Sequence, residues 1–223
     1  PQRAQPILHT TLQQLQLPLE FIDIGGSLGV PYRPEQEELD IDAVARGVAL
    51  ALKEKLAEYS LGEPLLIHEP GRYLVADAGV LLTGVRSIKR NFLGVDAGMN
   101  TLLRPALYKT YHHILYANDV HTPCEVPYHV VGPICENTDQ FASDRLLPKD
   151  IVPGDILAIL HTGAYGFSMS SHYNTQPRAA EVLVNEGKAE LIRARENTND
   201  IHRHVCIPER LIGEKICPEE IPT

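Results

Sequence analysis

The residues able to do chemistry gather in a few short stretches, each following an apolar run. Gly25-Gly26-Ser27-Leu28-Gly29 comes after Phe21-Ile22-Asp23-Ile24. Backbone N–H groups free of side chains are what cradle a phosphate, although a Gly-Gly pair taken alone is most often only a turn. Glu69-Pro70-Gly71-Arg72 comes after Leu65-Leu66-Ile67 and puts a carboxylate, another unencumbered N–H and a guanidinium side by side. A planar guanidinium fork takes two oxygens of a phosphate or carboxylate at once; the plainer alternative is a turn whose Glu and Arg pair in solvent.

Arg104-Pro105-Ala106-Leu107-Tyr108 spaces a guanidinium and a phenol so that they share a face only if the segment is helical. Cys135-Glu136 sets a thiol beside a carboxylate in a turn. A lone cysteine is usually a small buried hydrophobe, and reactivity needs a lowered pKa or a bound substrate. Gly163-Ala164-Tyr165-Gly166 opens a Gly- and Ser-dense stretch, costly to order, which reads either as a ligand-facing loop or as bare surface. His202, His204, Cys206 and Cys217 fit no common zinc spacing, so no metal site is expected. His112-His113 reads as two strand residues facing opposite sides.

The elements that must position these groups change character near residue 80. Before it, a strand at 21–24, an amphipathic helix at 42–59 carrying Val44, Val48, Leu50, Leu52 and Leu56, and a strand at 65–69 alternate. Strand, glycine turn, helix, strand is the unit of a parallel sheet or barrel, whose ligands gather at the strands' carboxyl ends. After it, strands are expected at 79–89, 91–96, 112–118, 126–132, 154–161, 179–185 and 188–194, with a hairpin turn at Asn185-Glu186-Gly187, as in an antiparallel barrel or sandwich. The fold class is therefore α/β plus all-β. The expected divisions are an α/β part, from a parallel sheet or barrel, over 1–78, a β domain over 79–198 and an appended tail over 199–223.

Composition narrows the partners. Hydrophobic residues make up 43% and charged residues 22% of the 223, which excludes a wholly disordered chain. The formal charge of −9 disfavours nucleic acid and anionic membranes and favours small molecules and proteins. No apolar run approaches a membrane span, and the four cysteines include no C-x-x-C pair, so a soluble, cytoplasmic setting is expected.

Taken in order, the motifs resemble the C-terminal part of the diaminopimelate decarboxylases, within the pyridoxal-phosphate decarboxylases that share an alanine-racemase-like (β/α)8 barrel. The resemblance rests on Asp23-Ile24-Gly25-Gly26-Ser27-Leu28-Gly29, Glu69-Pro70-Gly71-Arg72, Arg104-Pro105-Ala106-Leu107-Tyr108, Cys135-Glu136 with Asp139, and Gly163-Ala164-Tyr165, and spans about residues 20–197. It implies that Gly25, Gly26 and Ser27, with the backbone of Gly71 and Arg72, hold the phosphate of pyridoxal 5'-phosphate beside the Tyr165 phenol. It also implies that Glu69 faces the pyridine nitrogen and keeps the ring protonated, which makes it a better electron sink. By the same resemblance Arg72, Arg104, Tyr108, Glu136 and Tyr165 bind substrate. Cys135 is the catalytic residue that protonates the α-carbon, and the Cys135-Glu136 loop enters the partner's site in a homodimer.

The implied reaction converts meso-2,6-diaminopimelate to L-lysine and CO2. Two buried guanidinium groups call for an anionic end on the ligand, which argues against ornithine, lysine or arginine as substrate. A carboxynorspermidine or other basic-amino-acid decarboxylase of the same fold, and a truncated non-catalytic relative that pairs with a full-length subunit, remain alternatives. Two departures stand out. Ser27 occupies the place of a usual third glycine. None of Lys53, Lys55, Lys89, Lys109, Lys149, Lys188 and Lys215 ends an early barrel strand, so the Schiff-base lysine of the family is missing and the chain alone is expected to be inactive.

Overall fold

The computed structural model describes residues 18–26 and 28–211. Packing divides the chain into two compact units, Pro1–Met169 and Ser170–Thr223. In the first unit, β1 (Phe21–Asp23) is followed by helix α1 (Ile41–Tyr59), strand β2 (Leu65–Ile67) and the short helix α2 (Gly71–Val75). β1 and β2 pair in parallel, Phe21 opposite Leu65 and Asp23 opposite Ile67. α1 begins where the Asp40 carboxylate accepts the Ala43 N–H at 2.8 Å, satisfying one of the donors that a helix start leaves over. It ends at Ser60 in a left-handed conformation, φ 53°. Its half-buried stripe is Val44, Val48, Leu52 and Leu56; Leu50 is two positions out of phase and points to solvent, 60% exposed.

The rest of the first unit is a six-stranded sheet. Its elements are β3 (Leu81–Lys89), β4 (Phe92–Val95), helix α3 (Arg104–Tyr108), β5 (Ile114–Tyr116), β6 (Val126–Val131), β7 (Gln140–Leu147) and β8 (Ile156–Ile159). The spatial order is β5-β8-β3-β4-β6-β7, antiparallel throughout except for the parallel pair β4 and β6. Inward residues at period two, among them Val85, Leu93, Val95, Tyr128, Val130, Phe141, Leu147, Leu157 and Ile159, fill one core together with Leu102 and Ile114. Arg145 of β7 donates to the Tyr111 hydroxyl and, at 3.1 Å, to the His112 carbonyl just ahead of β5, which draws the two edge strands together. The sheet is thereby nearly closed.

Every strand expected after residue 80 is present, and β7 is an addition. Its pairing with β6 shifts register at two places and Asp144 is left-handed, φ 50°, so the alternation that marks a strand is broken where it should be read. His112 and His113 lie immediately before β5 rather than within it.

In the second unit β9 (Glu181–Asn185) and β10 (Lys188–Arg193) form an antiparallel hairpin. Glu186 and Gly187 both have positive φ, 48° and 75°, the pair of conformations a two-residue turn needs to match strand twist. Helix α4 (Thr198–His202) starts with a reciprocal cap between Asn197 and Asp200. It lies at the start of the segment expected to be an appended tail. Cys217 lies outside the described residues. Among the described residues no helix is long and apolar enough to cross a membrane.

Candidate functional site

The two parallel strands bring their carboxyl ends together. Ile24 N–H donates to the Ile67 carbonyl at 3.1 Å and Glu69 N–H to the Gly25 carbonyl at 2.9 Å, so the ladder continues one step past the strands into both loops. Asp23 accepts the Gly25 N–H at 2.7 Å and Gly25 takes φ +67°, turning the chain tightly. Gly26 then passes so close to the second loop that a Cβ on it would lie 2.3 Å from the Glu69 carbonyl oxygen. Only glycine leaves that approach open.

A pocket of about 270 Å3 opens there, lined by Gly26, Leu28, Glu69, Pro70, Arg72 and Tyr165. Arg72 lies in the first turn of α2, its guanidinium 5.6 Å from the Tyr165 ring centre, and its Nε is buried without a partner. Tyr165 comes from the loop after β8 and takes φ +60°. Of the residues expected to hold the cofactor, Gly26, Glu69, Arg72 and Tyr165 line one pocket, Gly25 and Gly71 flank it, and Ser27 lies outside the described residues.

The residues expected to grip the substrate are spread more widely. Arg104 is 4% exposed, and its guanidinium lies 5.8 Å from the same Tyr165 ring. Tyr108, at the other end of α3, is 60% exposed, so the helical spacing is present but the two side chains part company. Cys135 and Glu136 are exposed, on the loop between β6 and β7, and do not line the pocket.

Tyr32 and His161, which motif reading passed over, and His112, which it read only as a strand residue, complete the wall around Arg104. Tyr32 accepts an Arg104 Nη1 hydrogen at 2.6 Å and meets His112 and His161 edge-on, with ring centres 5.3 and 5.6 Å away. His112 is 1% exposed, and its Nδ1 lies 2.9 Å from the Leu160 carbonyl, which can only accept, so Nδ1 carries the proton. Burial pushes its pKa down to about 4; the Leu160 bond opposes this, and the neighbouring Arg104 and His161 add to it. His113 turns away to the Tyr111 hydroxyl, 3.0 Å, as neighbours of opposite direction should. Among the described residues no carboxylate forms an ion pair with Arg72 or Arg104.

Side-chain-free N–H groups, a carboxylate, an unsatisfied guanidinium and a phenol at the ends of two parallel strands make an anion-binding cofactor pocket next to an antiparallel sheet domain. The same set fits pyridoxal phosphate: donors for a phosphate, and a carboxylate for a pyridine nitrogen.

Comparison with known sequences agrees. Residues 3–76 match the pyridoxal binding domain of pyridoxal-dependent decarboxylases, and residues 40–163 match their C-terminal sheet domain. The chain belongs to the pyridoxal-dependent decarboxylase family. It is 54% identical over 199 residues to the diaminopimelate decarboxylase of Methanothermobacter thermautotrophicus, covering 86% of this chain and 46% of that protein. The crystal structure of diaminopimelate decarboxylase from Helicobacter pylori complexed with L-lysine matches with a TM-score of 0.74 at 41% identity, over 88% of this chain and 47% of the other. The enzyme from M. jannaschii, in co-complex with L-lysine, matches with a TM-score of 0.79 at 37% identity, over 92% and 47%. The chain thus spans about half the length of the curated relatives it matches. The expected barrel-plus-sheet fold is that of the family.

Proposed function

We propose that this chain is the C-terminal part of a pyridoxal-phosphate-dependent carboxy-lyase that converts meso-2,6-diaminopimelate to L-lysine and CO2, the last step of lysine biosynthesis. The observation that carries the substrate is Arg104, a buried guanidinium with no carboxylate partner among the described residues. Such a group is costly without an anion, and a ligand with a distal carboxylate supplies one. A relative crystallised with L-lysine supports the same choice.

When bound, pyridoxal phosphate supplies the electron sink for the pair left behind as a carboxylate departs. The chain's residues do the rest. The Gly25-Gly26 and Gly71-Arg72 turns hold the phosphate, with the N–H groups of Gly26 and Arg72, Ser27 and the Tyr165 phenol as donors, since the Gly25 and Gly71 N–H groups are committed to Asp23 and to the Glu69 carbonyl. Glu69 holds a proton on the pyridine nitrogen. Arg104 and Arg72 bind the distal carboxylate, and Tyr108 and Glu136 take the distal ammonium. Cys135 delivers a proton to the α-carbon. Exposure of Tyr108, Cys135 and Glu136 supports a homodimer in which the Cys135-Glu136 loop of one protomer completes the site of its partner. We place the enzyme in the cytoplasm, with barrel residues over 1–78, the sheet domain over 79–198 and a tail over 199–223.

On this reading the chain by itself is expected not to decarboxylate, because none of its lysines ends an early barrel strand as the family's Schiff-base lysine does. The test is lysine formation and CO2 release from diaminopimelate by the holoenzyme and by the isolated chain. Turnover by the holoenzyme and none by the isolated chain is expected; no lysine from the holoenzyme, or equal turnover of ornithine, overturns the reading.

A further inference from the structure

A buried guanidinium that waits for a ligand has to be held in the meantime by groups that will not neutralise it. Arg104 is held in this way. One Nη1 hydrogen goes to the phenol oxygen of Tyr32 at 2.6 Å, and the guanidinium carbon lies 5.1 Å from the Tyr32 ring centre and 5.8 Å from that of Tyr165. Two π faces and one neutral acceptor favour a cation without cancelling its charge.

Tyr32 is itself fixed. Its ring stands edge-on to His112 and His161, and it lies on the stretch that leaves the Gly25-Gly26 turn for α1. His112 cannot substitute for it as a charged neighbour, since its Nδ1 proton is committed to the Leu160 carbonyl and its Nε2 is a buried lone pair without a protein partner. The loop that turns at the cofactor pocket therefore also carries the residue that aims Arg104.

We infer that Tyr32 is a positioning residue for Arg104: by accepting one N–H it fixes the plane of the guanidinium fork and leaves the other N–H groups for the distal carboxylate of the substrate. The inference rests on the diaminopimelate reading of the site. Removing the phenol oxygen leaves a buried N–H unsatisfied and lets the fork turn. The loss falls on recognition of the carboxylate end and leaves bond breaking untouched.

The experiment is steady-state kinetics on the holoenzyme and its Tyr32→Phe variant, with L-lysine, which keeps the distal carboxylate, and cadaverine, which lacks it, as competing ligands. Expected are a KM for diaminopimelate raised about tenfold, kcat within about twofold, lysine inhibition weakened about tenfold and cadaverine inhibition unchanged. An unchanged KM, a fall in kcat at steady KM, or equal weakening of lysine and cadaverine overturns the inference. Should the variant fail to assemble, the wild-type protein decides. Its Arg104 side-chain N–H signals, assigned by their loss in Arg104→Lys, persist at neutral pH if Tyr32 holds the fork, and signals averaged by free rotation overturn the contact. A wild-type holoenzyme that turns over no diaminopimelate sinks the functional reading instead, whatever those signals show.

Discussion

Gly79 and Gly163 cross with their backbones in contact: a Cβ on Gly79 would lie 2.2 Å from the Gly163 nitrogen, and one on Gly163 would lie 1.8 Å from the Val75 carbonyl oxygen. The crossing is stitched by Thr162 N–H to the Gly79 carbonyl at 2.9 Å and Gly163 N–H to the Ala76 carbonyl at 3.1 Å. It ties the segment after α2, which carries Arg72, to the loop that carries Tyr165. The 5.6 Å separation of those two side chains is thus set by main chain.

Gly163→Ala is accordingly expected to be destabilising by about 3 kcal/mol, since the obstructing atoms are backbone and cannot rotate away. The same variant should bind pyridoxal phosphate more weakly because Tyr165 is displaced from Arg72. Urea unfolding and a cofactor titration read the two effects; an unchanged unfolding midpoint would show that the crossing has slack.

Asp139 joins two loops in the same manner, with a carboxylate instead of a glycine contact. It is 4% exposed and accepts the N–H groups of Met99 at 2.6 Å and Ile134 at 2.7 Å, while burial pushes its pKa up against the lowering by those donors. Gly132 has no room for a Cβ because the carboxylate would lie 2.3 Å from it. Asp139→Ala leaves one buried and one half-buried amide without an acceptor and is expected to cost about 3 kcal/mol. Chemical denaturation checks this, and a loss below about 0.5 kcal/mol, the scale of ordinary surface substitutions, would deny it that role.

How much of this could be read in the sequence depends on how local the signal is. α1, β1, β2 and the β9–β10 hairpin were legible because a helical stripe, short apolar runs ending in glycine and an Asn-Glu-Gly turn lie within a few residues of themselves. β7 was not, since its bulged partner and the left-handed Asp144 disturb the period of two. In the site, Gly26, Glu69, Arg72 and Tyr165 were legible as motifs that fold into one pocket. Tyr32 and His161 carry no motif; they matter only through rings brought together across long stretches of chain, and His161 sits at φ 58°, which no pattern announces. The separation of buried Arg104 from exposed Tyr108 is likewise a tertiary fact, imposed on a helix too short to have one inward face.

A shared site makes a prediction about mixtures. If Arg104 of one protomer works with Cys135 of its partner, Arg104→Ala and Cys135→Ala holoenzymes are each nearly inactive. Random re-pairing then puts half the protomers in mixed dimers, each with one intact site, and restores about a quarter of wild-type activity. Dissociating, mixing and assaying the two variants measures it. A mixture no more active than its components would place both residues in one protomer's site.

His112 gives the remaining prediction its sign. In the folded protein its pKa is held down to about 4, chiefly by burial and further by Arg104 and His161, against an ordinary value of 6.5. The ring otherwise meets the Tyr32 ring edge-on and the Leu160 carbonyl. Between those two values the unfolded chain binds a proton that the folded one refuses. Folding stability from this residue is therefore fully present above pH 6.5, falls as pH drops toward about 4, and changes no further below that. The loss amounts to roughly 3 kcal/mol at most. The His113 pKa is also lowered, by burial first and Arg145 second, so it adds in the same direction. Urea midpoints between pH 7 and 4 should fall more steeply for wild type than for His112→Phe, which has nothing to protonate; parallel curves would mean that His112 is charged inside the folded protein and that Arg104 has a cation for a neighbour.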